Sequence, residues 1–111
     1  MISEKEILIK YVDWSEISRK EFLTEKFIDK YKDKLDWFYI TLYQDLTEKF
    51  IDKHHKKIEF SYLPVSTTKF SEKFIDKHKD KLNLERVIKY QKLSKSFRKK
   101  IINYCMKELL E

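Results

Sequence analysis

The chain has no glycine and no alanine among its 111 residues, and it has one proline (Pro64), one cysteine (Cys105) and three arginines (Arg19, Arg86, Arg98). Without glycine there is no phosphate-cradling loop of the P-loop kind and no dinucleotide fingerprint, because both need backbone that only glycine supplies. One cysteine cannot close an internal disulfide, which fits a reducing compartment. No apolar run approaches the ~20 residues of a membrane span. Met1 opens onto Ser3-Glu4-Lys5-Glu6, which lacks the basic and apolar regions of a signal peptide, so the expected location is cytoplasmic. Poverty in Gly, Ala and Arg beside 25 Lys and Arg in all also matches codons poor in G and C, so lysine abundance by itself carries little weight.

Repetition is what the sequence does have. Leu-Thr-Glu-Lys-Phe-Ile-Asp-Lys at 23–30 returns at 46–53, and Phe-Ser-Glu-Lys-Phe-Ile-Asp-Lys follows at 70–77, at offsets of 23 and 24 residues. A fixed period of this size marks an array in which each unit is one supersecondary element stacked on the next. The expected fold is all-α: one domain of short helical hairpin repeats, solenoid-like. Its units would be 1–22, 23–45, 46–69 and 70–92, followed by a C-terminal capping helix at 93–111.

The helix signals recur with the text. Thr24, Thr47, Ser71 and Ser94 are placed to cap the first helix of each unit, and Asp13, Asp36, Glu59 and Asn83 precede the second. Ser3 and Glu6, then Asp13 and Glu16, have capping-box spacing. Phe27, Ile28, Tyr31 and Leu35 form one apolar stripe, while Trp37, Ile40 and Tyr43 point inward on the next helix, with Trp14, Ile17 and Phe22 doing so earlier. Lys and Asp alternate between them, at i,i+3 as Asp29–Lys32 and Lys30–Asp33, and read as a solvated outer face. The third unit breaks the rule. Pro64 lacks an N–H and biases Leu63 away from the helical region, and β-branched and hydroxyl residues follow, so 60–69 is expected to be an irregular loop half-repeat of at most one turn. Val87, Tyr90 and Gln91 restore the pattern, and Phe97, Ile101, Tyr104, Cys105 and Leu109 form the stripe of the last helix.

The text Leu-Thr-Glu-Lys-Phe-Ile-Asp-Lys-x-x-Asp-Lys-Leu-Asp-Trp-x-x-Ile-x-x-Tyr-Gln at 23–44 resembles short two-helix repeats of uncharacterised bacteriophage and large-DNA-virus proteins, over about residues 13–94. The resemblance implies helical stacking and supplies no catalytic residues. It also implies a virus-encoded inhibitor of a host protein or nucleoprotein complex, of the anti-CRISPR kind. Pro64, Leu84 in place of Trp and the rewritten last helix depart from the pattern.

No constellation for catalysis, cofactor or metal emerges. His54 and His78 share one repeat position, held by Tyr31 earlier, and without His-x3-His or Cys pairing they read as semi-exposed framework residues. Asp29 and Asp33 lie among lysines, unlike an acid–base pair whose environments push the two pKa values apart. Cys105 on an apolar stripe reads as a structural thiol. The expectation is a protein that is not an enzyme.

Two surfaces remain. Where the copies disagree, Phe38, Tyr39 and Leu42 are unusually apolar, and with Tyr62, Leu63, Arg86 and Lys89 they form the expected contact set for a partner protein. Packing on a neighbouring hairpin, or on a second copy as a homo-oligomer, would explain the same apolar residues. The other surface is basic: Lys53, Lys56, Lys57, Arg86, Lys89, Lys92, Lys95, Arg98, Lys99 and Lys100. No acid stands between Arg86 and Lys107. This tract reads either as a groove for nucleic-acid phosphates without sequence preference or as a Lys-rich surface of compositional origin.

Overall fold

A computed structural model describes residues 2–11, 13–20 and 22–110, and among them every regular element is helical. The helices are α1 (Glu4–Lys10), α2 (Trp14–Lys20), α3 (Glu25–Lys30), α4 (Trp37–Tyr43), α5 (Glu48–Lys53), α6 (Glu72–Lys77), α7 (Leu84–Tyr90) and α8 (Lys95–Leu110), with one 3-10 turn at Phe60–Tyr62 between α5 and α6. The chain divides into two compact units, Met1–Glu59 and Phe60–Glu111.

The repeated text makes a repeated element. Each copy of Glu-Lys-Phe-Ile-Asp-Lys forms a six-residue helix whose cap hydroxyl accepts from the N–H three residues on: Thr24 from Phe27 at 3.0 Å, Thr47 from Phe50 at 3.2 Å, Ser71 from Phe74 at 3.1 Å. Ser94 does the same for Phe97 at 3.3 Å, although the text of α8 differs. Such a cap is worth about 1 kcal/mol, which matters because a six-residue helix has no stability of its own. The rest comes from packing. Ile28, Ile51 and Ile75 are fully buried beside Phe27, Phe50 and Phe74, and each ring meets the residue four positions on: Tyr31 at 4.7 Å, His54 at 4.5 Å, His78 at 4.7 Å. Ile101 fills that same repeat position in α8 and is also fully buried.

His54 and His78 are therefore buried, not semi-exposed. Their flat rings replace the Tyr31 ring as a packing surface for the preceding Phe, and a histidine can be enclosed this way when its nitrogens find partners.

In the first unit α2 packs on α4, and the buried stripe of α4 is Trp37, Ile40, Thr41 and Gln44 at i, i+3, i+4, i+7. Tyr43, expected inside, is 58% exposed, and Tyr90 at the matching place of α7 is exposed too. The inward position is taken by the next residue, Gln44 or Gln91, because its amide serves backbone groups that a phenol cannot reach. Phe22, also expected inside, is 73% exposed, and Leu109, expected on the inner stripe of α8, is 86% exposed.

In the second unit α7 packs on α8. As Pro64 predicts, 60–69 contributes a single 3-10 turn, closed by Leu63 N to Phe60 O at 3.2 Å and followed by Thr68 N to Pro64 O at 2.9 Å. It still supplies core: Phe60, Leu63 and Val65 are buried, and Phe60 lies 4.5 Å from the His78 ring. Leu63 is thus packed inside at 4% exposure and offers no contact to a partner, which corrects its place in the expected contact set. The irregular backbone after the 3-10 turn points it inward, where no helical phase could have been read.

Candidate partner-binding surface

Polar groups inside the core decide which residues are committed to the scaffold. Gln44 accepts from Leu23 N at 2.9 Å and donates to Ser18 O at 3.1 Å, fastening the link between α2 and α3 to the end of α4. Gln91 repeats this in the second unit, accepting from Phe70 N at 3.0 Å and donating to Val65 O at 2.6 Å and Thr68 O at 2.7 Å. Buried hydroxyls act likewise. Ser18 Oγ accepts from Asp36 N at 2.9 Å, and Thr41 Oγ1 accepts from Glu59 N at 3.3 Å, so each serves the backbone just ahead of the following helical segment.

The charges of the repeated text reach between neighbouring copies more than along one helix. Glu25 accepts from Thr47 N at 2.7 Å and from its hydroxyl at 3.1 Å, and Glu72 accepts from Ser94 N at 2.7 Å and Oγ at 2.9 Å. Asp29 pairs with Lys53 at 3.2 Å, Asp33 with Lys57 at 3.5 Å, and Asp76 with Lys100 at 3.2 Å. Lys30 reaches back to Glu4 at 2.7 Å, and the Tyr31 hydroxyl bonds the same carboxylate. These pairings replace the expected i,i+3 pairs Asp29–Lys32 and Lys30–Asp33, although Lys79–Asp76 does have that spacing. Lys53's ammonium holds Asp29 below the usual carboxylate range, Lys100 and then Lys79 do so for Asp76, and Lys30 and then Tyr31 do so for Glu4. His54 Nε2 also lies 3.0 Å from the Asp29 Oδ1 that Lys53 approaches, and both the Asp29 and His54 atoms are shielded from solvent. Lys53, Lys57 and Lys100 of the expected basic tract are therefore engaged with carboxylates within the fold.

Several exposed aromatic rings lie on the second helices. On α4, Phe38 is exposed and Tyr39 half-buried, their rings 5.5 Å apart edge to face, and Tyr39 stacks on Tyr43 at 6.0 Å. Arg19 of α2 sits over Tyr39 at 5.7 Å, while Leu42 is half-buried beside this ladder in sequence. On α7 the exposed residues are Arg86, Lys89 and Tyr90, with both cations over the ring at 5.3 and 5.2 Å. Tyr62 is exposed in the 3-10 turn of the same unit. Sequence reasoning missed Tyr43 and Tyr90, whose signal was their identical place just before a glutamine, and missed Arg19 as the partner of Tyr39.

The charge is uneven as well. The second unit holds thirteen Lys and Arg against six Asp and Glu, a net of +7, and the first holds twelve against thirteen, a net of −1. Lys92, Lys95, Lys99 and Lys56 are exposed, and Arg98 donates to Ile88 O at 3.0 Å from an exposed position. A groove of about 510 Å3 runs between α7 and the second half of α8, lined by Leu82, Leu84, Ile88, Tyr104, Cys105 and Leu109 among others. Burial pushes the Cys105 thiol up, away from the thiolate form a nucleophile requires. No described helix is long and apolar enough to cross a membrane. No protein family matches the chain, and no curated protein or solved structure is detectably similar to it.

Proposed function

We propose that the chain is a non-enzymatic helical-repeat binding protein that docks on another protein through the exposed faces of its second helices. The observation that carries this is the ladder Phe38–Tyr39–Tyr43 with Arg19 over it, matched on α7 by Tyr90 between Arg86 and Lys89. Rigid aromatic rings already stacked lose little freedom on binding, and Tyr and Arg are the residues that most often anchor protein interfaces. The repeated cap, Phe and Ile residues have structural duties, which leaves recognition to exposed positions of the second helices. The resemblance to repeats of phage and viral proteins supports a host protein or nucleoprotein complex as the partner, and the basic second unit supports steering toward an acidic one.

A pull-down with Phe38→Ala/Tyr39→Ala tests this reading. Loss of the partner recovered by the native chain is expected, while unchanged recovery with unchanged oligomeric state would remove these residues from the site. The net charge of the second unit favours one further reading, direct binding of nucleic acid with Tyr90 as a stacking platform. Affinity for a single-stranded oligonucleotide would then fall steeply with salt, with a slope set by the number of phosphates neutralised.

A further inference from the structure

The helix α8 carries an exposed face that repeats the contact register of the helices before it, with its charges inverted. In α3 and α6 the first helical residue and the one four on, Glu25 and Asp29, then Glu72 and Asp76, bond forward to the following copy. The glutamates take the cap of that copy's first helix, and the aspartates take Lys53 and Lys100. The same two positions in α8 are Lys95 and Lys99, both exposed and neither ion-paired with a described residue.

Where α3, α5 and α6 stop after six residues, α8 continues for sixteen. Its extra turns prolong the stripe at helical spacing with Ile102, Met106 and Leu109, of which Met106 is 58% exposed. The face is therefore cationic over its first half and apolar over its second, on one side of one helix.

We propose that this face of α8 docks an amphipathic helix of a partner protein that sets carboxylates against Lys95 and Lys99 and apolar residues against Ile102, Met106 and Leu109. Charge complementarity selects that occupant. An element packing here in the manner of the chain's own copies would bring a lysine toward Lys99, because Lys30, Lys53, Lys77 and Lys100 all hold that repeat position. A second copy packing through its α3, α5, α6 or α8 is thus repelled, and a helix with acids at that end is attracted. Nucleic acid would satisfy the lysines and leave the apolar half wet. A membrane surface needs an apolar face along the whole helix with cations on the opposite flank, whereas here the two kinds of residue succeed one another on the same face. Side chains at i, i+3, i+4 and i+7 are the usual anchors of helix recognition, and Lys99, Ile102 and Met106 stand at i, i+3 and i+7.

This face is distinct from the aromatic positions of α4 and α7, so each reading can fail without the other. The test uses the full chain and two labelled designed helices with a leucine stripe, one ending in two glutamates a turn apart and the other in two lysines. Fluorescence anisotropy is expected to give at least about tenfold tighter binding of the glutamate helix. Lys95→Glu/Lys99→Glu should invert that preference. Met106→Asp and, separately, Leu109→Ser should weaken both helices while circular dichroism stays unchanged. Equal affinity for the two helices, or no binding of either, would overturn the proposal. So would self-association, or binding of anionic vesicles or single-stranded DNA, that Met106→Asp abolishes.

Discussion

Replacing Gln91 by leucine removes a buried clamp without changing side-chain volume much, and the cost can be worked from its three hydrogen bonds. Phe70 N loses its acceptor, and Val65 O and Thr68 O lose their donor, at sites where Phe70 and Val65 are buried. A buried group left unpaired costs about 1–3 kcal/mol. Thr68 is partly open, so water can replace its bond, and the sum for Gln91→Leu is about 3–5 kcal/mol. Gln44→Leu strands Leu23 N and Ser18 O among its partners and should cost at least about 2–4 kcal/mol. Against a total stability of roughly 5–15 kcal/mol, Gln91→Leu takes a large share. Urea denaturation followed by circular dichroism at 222 nm reads both variants, with Tyr90→Ala as the exposed neighbour that should change little. A Gln91→Leu cost below about 0.5 kcal/mol, the ordinary range of a neutral surface change, would refute the clamp.

Three further outcomes follow from the same packing. Ile28→Ala, Ile51→Ala and Ile75→Ala should each cost about 2–5 kcal/mol in the same urea titration, because all three side chains are fully enclosed. Ser18→Ala should cost about 1–2 kcal/mol by stranding Asp36 N, and Ser18→Thr should restore part of that cost. Glu4, Asp29 and Asp76 have carboxyls held below their usual range, so their native forms bind fewer protons than the unfolded chain just below the ordinary carboxylate pKa. Their stabilisation is present above that pKa and is lost as pH falls through the lowered native values. The melting temperature should therefore drop on acidification below about pH 4, and Asp29→Asn/Asp76→Asn should make that drop shallower.

Much of the fold could be read from the text. Thr24, Thr47 and Ser71 announce their helices because a hydroxyl followed by Glu-Lys-Phe-Ile is both a cap and the start of a stripe, and Pro64 announces the missing helix. Reading failed where polarity and hydrophobicity exchanged places. Tyr43 and Tyr90 look like core and lie outside, while Gln44, Gln91, Ser18 and Thr41 look like surface and lie inside. Hydrophobic periodicity cannot show that buried backbone ends need an amide or a hydroxyl more than a ring. Leu63 was out of reach for another reason: with no helical phase across Pro64, the direction of a side chain depends on turn geometry alone. Of the candidate site, Phe38, Tyr39, Arg86 and Lys89 could be named because they differ between copies on an otherwise constant frame. Arg19 could not, since its place over Tyr39 depends on α2 packing against α4. The charges read as a solvated face turned out to bond from copy to copy, a relation that spacing within one helix does not reveal.

That division between a constant frame and variable contacts can be tested by transplanting one set of variable residues onto another copy. Phe38→Glu/Tyr39→Arg places on α4 the pair that α7 carries as Glu85 and Arg86. Measured together, the denaturation midpoint and the recovery of the native partner should separate. The variant should unfold within about 1 kcal/mol of the native chain, since it leaves every clamp and enclosed isoleucine in place, and it should lose the partner. Retention of the partner by a folded variant would contradict the account.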